Sequence, residues 1–181
     1  MKKIITLVLV GTLLLSIAPQ HLYAADPEDI ITDAQIQTIR THCTDLLATL
    51  NRLQRADLLL RYDRGRLYRT TADKLMVPLN QRIASNQLDG SELVATTAKF
   101  NDEYQVFKNS YSAYDISLSG VLAIDCAKQP TTFYDKLAIA RQARSVIHDS
   151  SNKLIELAKQ YRTQFDTFKT SVAVNNKKEV N

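Results

Sequence analysis

Glycine and proline are scarce in this chain, with four of each among 181 residues. A fold built on tight turns needs more of both. The β-branched residues are not gathered into the alternating runs that make strands. Cysteine and histidine are scarcer still, at two and three. Cys43 and Cys126 fit no zinc-ligand spacing, and beyond the first 24 residues the histidines are His42 and His148 alone. Neither a metal centre nor a Cys–His nucleophile is expected from so little material. No P-loop, G-x-G-x-x-G, H-E-x-x-H or EF-hand loop occurs, and no serine has an evident base. No catalytic residue, metal or cofactor is therefore expected.

What is present begins with "MKKIITLVLVGTLLLSIAPQHLYAADP". Two lysines, an apolar run and a small-residue stretch follow the order of a secretory signal peptide, cut after Ala24. The run is short for a membrane span, which takes about 20 residues; an uncleaved anchor is the alternative. Removing Lys2 and Lys3 leaves 21 basic against 19 acidic residues, a net charge of +2 instead of +4. That balance does not point to nucleic acid or to an anionic membrane. Residues 25–31 read as a linker, 32–172 as one helical domain, and "NNKKEVN" within 173–181 as a disordered tail.

Two cysteines in an exported chain most often pair, so Cys43 and Cys126 are expected to form a disulfide. Helical periodicity fills the rest. "TDAQ" at Thr32–Gln35 is a capping box. A first stripe then runs Ile36, Ile39, Cys43, Leu46, Leu50, Leu53, Asp57, Leu60, Arg64, Leu67. After "SNQLDGSE", with Asp89 and Glu92 as caps, a second runs from Leu93 through Phe100, Phe107, Tyr111 and Tyr114 to Val121. A third, capped by Thr131 or Thr132, runs from Leu137 to Val172. Spacings of three and four sustained this long predict helices packed as in a coiled coil, in an all-α, antiparallel three-helix bundle.

The cysteines also constrain topology. Their midpoint is 84.5, so an unbroken hairpin turning at Leu88 is excluded. Pro78 in "LMVPLN" predicts a break near Val77, with residues 79–88 as a short helical or irregular cap. Residues 61–82 carry six basic and two acidic groups, while 89–125 carry two and six. That contrast favours antiparallel pairing of the two stretches.

Counting from the same midpoint, residue 57 is level with about 112, and reflection through the turn near 129 reaches about 145. Asp57, Arg61, Arg64, Tyr111, Tyr114, Asp115, Arg141 and Arg144 are thereby expected in one polar layer. It reads either as an ion-pair and tyrosine network fixing helix register or as a notch for an acidic or peptidic ligand.

"DLLLRYDRGRLY", "LMVPLNQRI" and "IDCAKQPTTFYDKLAIARQAR" resemble a family of small exported helical proteins of candidate-phylum bacteria with reduced genomes. The resemblance spans most of residues 40–165 and includes Cys43, Asp57, Arg61, Gly65, Pro78, Asn80, Cys126 and Arg141. It implies export and a paired-cysteine helical fold, and no activity. The functional expectation is a non-catalytic interaction or structural module of the cell envelope or surface, with another envelope protein as partner. A ligand-binding module using the polar layer and a chaperone-like protein are the alternatives.

Overall fold

The computed structural model describes residues 31–179. The leader expected at 1–24 and the linker before Ile31 lie outside them. Every regular element described is helical: α1 (Asp33–Thr41), α2 (Cys43–Thr70), a π-helical segment (Thr71–Met76), α3 (Val77–Ser85), α4 (Ser91–Leu122) and α5 (Pro130–Glu179). At roughly 1.5 Å per residue, the 32 residues of α4 span about 48 Å and the 50 of α5 about 75 Å.

The capping box forms as expected: Thr32 Oγ1 accepts from the Gln35 backbone and Gln35 Oε1 from the Thr32 backbone. Its helix is interrupted at His42, so the expected single stripe is divided between α1 and α2. The opening of α5 differs from expectation as well. Pro130 occupies the first helical turn, where its missing N–H costs nothing. Asp125 satisfies the preceding turn by accepting from the Ala127 and Lys128 backbones at 3.2 Å each. At its far end α5 runs on to Glu179, through most of the stretch expected to be a disordered tail. No glycine or proline stops it, and each added residue extends a helix already nucleated.

α4 is the central element, packed on α5 and, more narrowly, on α2. Along α4 a strict seven-residue line, Leu93, Phe100, Phe107, Tyr114 and Val121, is at most 3% exposed. α5 answers with Phe133, Ala140, Ile147, Leu154 and Tyr161, all buried at the same spacing. Two sustained heptads facing each other give the α4–α5 pair its extent. The pair is antiparallel, since Thr96 bonds Gln164 whereas Glu103 bonds Lys153.

α2 keeps the expected seam only as far as Asp57. Leu60, Arg64 and Leu67 are exposed, and the inward line continues through Arg61, Gly65, Tyr68, Ala72 and Met76. Those steps of four, four, three, four and four place Tyr68, the largest side chain available, edge-on against Phe107 at 5.2 Å between ring centroids.

The short helical stretch expected at 79–88 is present as α3 (Val77–Ser85), and regular α-helix gives way before it at Thr71–Met76, but the backbone stays helical through Pro78 where a break near Val77 is expected. Proline clashes with the carbonyl four residues back in a regular α-helix. Here the turn before it is widened to π register, with the Val77 N–H donating to Ala72 O, five residues back. The chain passes through Pro78 as helix and turns only at 86–90. The same wide segment takes up residues in little length, which helps move the cysteine midpoint before the actual turn. Gly90 is required in that turn: a Cβ there would stand 2.7 Å from Ile83 Cγ2.

The disulfide forms as expected, Cys43 to Cys126, with Cα atoms 5.5 Å apart and a sequence separation of 83. Around it Ile39, Val121, Phe133 and Ala140 make a second, smaller core at one end. Among the described residues no helix is long and apolar enough to cross a membrane.

Candidate functional site

The polar layer centres on Asp57, which is 5% exposed. Its Oδ2 accepts from the Tyr114 hydroxyl at 2.6 Å and from Arg144 Nε at 3.0 Å, while Oδ1 accepts from Arg144 Nη2 at 3.1 Å. A forked guanidinium and a phenol thus share one carboxylate contributed by three different helices. The arrangement is charge-assisted and orientation-specific. Arg144 keeps about half its side chain in solvent, so the pair is only half desolvated.

Tyr111 and Asp115 border this centre. The Arg61 guanidinium stands over the Tyr111 ring at 5.9 Å, and Asp115 accepts from Gln54 at 3.3 Å. Arg64 and Arg141, expected in the layer, are both exposed and join none of its hydrogen bonds or ion pairs. Arg64 lies off the inward line because Arg61 and Gly65 carry it. Arg141 is displaced because Ala140 beside it takes the buried position. Arg64 is expected in the layer from its place on the first stripe, which the helix leaves after Asp57, and Arg141 from its level alone.

Burial holds the Tyr114 phenol proton well above its ordinary range, aided by the bond to Asp57. Burial, then the Asp57 charge, also raises Tyr111. The bond to Asp57 raises the Arg144 guanidinium further. A tyrosine whose folded pKa exceeds its unfolded value near 10 contributes stability that is complete below that value and lost as pH rises through the folded one. Unfolding by urea from about pH 9 to pH 11 is therefore expected to show stability falling, and less steeply in Tyr114→Phe.

Two further polar nodes were not foreseen. Asn80 donates to Thr97 Oγ1 at 2.8 Å and accepts from the Tyr161 hydroxyl at 2.8 Å, joining α3, α4 and α5. That hydroxyl also lies 3.3 Å from the Met76 carbonyl beside the π segment. Buried Glu103 pairs with Lys153 at 2.6 Å. The signal for it was a second seven-residue line on α4, Thr96, Glu103, Ser110 and Ser117, polar and at least partly buried throughout.

A groove of about 510 Å³ opens between α2 and α4 above Gly65. Gly65 sits in a regular helix, and a Cβ there would meet nothing within 4 Å. Close approach, the usual reason for such a residue, does not apply. Gly65→Ala is accordingly expected to raise stability by about 1 kcal/mol, read as a higher urea midpoint at unchanged slope.

The basic stretch 61–82 lies along the acidic helix as expected, with Tyr68 against Phe107 and Asn80 bonded to Thr97, but among the described residues no direct ion pair secures it. Ion pairs join α2 to α5 through Asp57 and Arg144, and α4 to α5 through Glu103 and Lys153. Among the described residues none joins α2 to α4. The arginines of α2 outside the layer stay uncompensated by the acidic helix beside them. No three His, Cys, Asp or Glu side chains gather as a metal site requires among the described residues. No family model matches the chain, and no curated protein or solved structure matches it.

Proposed function

We propose that the protein is a non-catalytic interaction module of the extracytoplasmic space, an antiparallel three-helix bundle that engages another protein through the outer face of α2. The observation that carries this reading is the composition of that face. Leu59 and Tyr62 are 69% and 68% exposed, and Leu58, Leu60 and Leu67 are exposed beside them. Exposed Arg52, Arg55, Arg64, Arg66 and Arg69 surround them, against the single exposed acid Asp63. Apolar side chains grouped this way mark an interaction surface, and arginine is enriched in such surfaces. The fitting partner is a protein surface that is acidic and carries apolar side chains of its own.

The leader sequence and the disulfide support an oxidising compartment outside the cytoplasm. The family resemblance supports the same placement. The Asp57 layer supports a structural role, because the lone pairs aimed along its forks are already engaged from within the chain.

A photo-crosslinking residue placed at Leu59 in the exported protein tests the reading, with Gln142 on α5 as control. One discrete adduct is expected from Leu59 and not from Gln142, and Arg55→Glu, one turn from Leu59 and outside the groove, should abolish it without lowering the unfolding midpoint. Equal labelling from both positions, or an adduct indifferent to the charge reversal, would end the proposal. Flotation with anionic vesicles in place of a protein adduct would reassign the face to a membrane surface.

A further inference from the structure

From the groove above Gly65 we infer a binding site for a compact amphipathic anion, an apolar or aromatic body ending in a carboxylate, sulfonate or phosphate. The groove lies on the flank of α2 that faces α4 and shares Leu58, Tyr62, Arg66 and Arg69 with the edge of the face proposed above, so positions found in one of them alone, Leu59 for the face and Gly65 for the groove, tell the two readings apart.

The groove's volume, about 510 Å³, lies within the usual range for small-molecule sites. Its walls are aromatic: Tyr62 from α2, and Tyr104 and Phe107 from α4. Its charged lining is cationic alone, with Arg61, Arg66, Arg69 and Lys108 and no carboxylate. On α2 these cations run from Arg61 to Arg69, about 12 Å along the axis.

None of the four is firmly held by an acid. Arg61, Arg66 and Lys108 stand over the rings of Tyr111, Tyr62 and Tyr104 at 5.9, 5.9 and 5.4 Å. Arg69 meets Asp73 at 3.5 Å, a solvent-exposed pair that contributes little. Guanidinium groups resting on ring faces can turn toward an incoming anion and bond it through two N–H groups. Its apolar body would lie against Tyr62, Tyr104 and Phe107, the rings that line the groove.

Gly65 supplies the floor. Its φ is not in the left-handed region and its missing side chain admits no neighbour, so neither conformation nor packing calls for glycine. What the residue does preserve is the open space, which any longer side chain would enter.

The test uses two fluorescent probes with one aromatic body, 8-anilinonaphthalene-1-sulfonate and the uncharged N-phenyl-1-naphthylamine, titrated into the oxidised full chain. One saturable site is expected, at least about tenfold tighter for the sulfonate. Gly65→Leu should weaken the sulfonate about tenfold or more while the melting temperature holds or rises. The double variant Arg66→Glu/Lys108→Glu, altering exposed positions only, should do the same. Leu59→Asp, outside the groove, should leave it unchanged. Equal affinity for the two probes, or binding that survives both groove variants, overturns the inference. Competition by monomeric dodecyl phosphate sustains it with a soluble ligand as source, and competition by phosphatidylglycerol vesicles sustains it with a lipid headgroup.

Discussion

Replacing Cys43 and Cys126 by alanine, singly or together, is expected to lower stability by about 4–5 kcal/mol in all three variants. The bond closes a loop of 83 residues, and the unfolded chain regains that freedom as soon as either sulfur is lost. The double variant should therefore be scarcely worse than the singles. Alanine is preferred to serine because Cys126 is fully buried in the apolar end cluster, where a hydroxyl adds its own burial cost. The loss should also be uneven along the chain. α4 and α5 hold each other through facing heptads, whereas α2 meets α4 along one narrow line and α1 leans on α5 through a few residues. Hydrogen exchange should accelerate first in residues 33–55 and least in the α4–α5 seam. Equilibrium unfolding of the four proteins, with the slopes compared, measures the total. A double variant several kcal/mol below either single would show that each cysteine stabilises the fold separately from the bond.

That the cysteines pair, and that Asp57 meets the neighbourhoods of Tyr114 and Arg144, was legible before any coordinates. The pairing follows from there being two cysteines in a chain read as exported, and the layer follows from spacing. A helix advances by a fixed rise, so the reflection that puts residue 57 level with about 112 and 145 lands within two residues of its true partners at 114 and 144. Phase around the helix was less legible, because it depends on how many neighbours a helix has. α4 has two, so it buries side chains on three adjacent seven-residue lines, those of Phe100, Tyr111 and Glu103, and the polar one holding Glu103 looks like a solvent face in the sequence. α2 has one close neighbour, so its leucines at 60 and 67 stay outside although the heptad would bury them. Pro78 was misleading for a different reason. The sequence marks the clash correctly but not its remedy, since a π turn has no composition of its own. What relieves the proline is one extra residue per turn between Thr71 and Met76.

The polar layer allows a result in which the larger loss comes from the less buried partner. Arg144→Ala is expected to destabilise by about 2–3 kcal/mol, below the range for fully buried pairs because half of the arginine is already in solvent. It leaves Asp57 with its charge, its burial and a single remaining donor, Tyr114. Asp57→Asn should cost less, about 1–2 kcal/mol. The amide oxygen can still accept from Tyr114, and the freed guanidinium has water within reach. Arg144→Lys should recover only part of the loss, because one ammonium cannot occupy both forks that bond Oδ1 and Oδ2. The decisive variant removes the charges and the hydroxyl together: Asp57→Leu/Arg144→Leu/Tyr114→Phe. If the layer only fixes which helices meet at which level, this triple variant should be far more stable than the sum of its single changes and lie within about 1–2 kcal/mol of the native protein. Its loss should then appear as specificity, in a broader unfolding transition and poorer near-ultraviolet dichroism from the buried tyrosines. A triple variant that unfolds with the full additive loss would mean the three groups stabilise the bundle directly. The layer would then rank with the disulfide as a source of its stability and not as a marker of register.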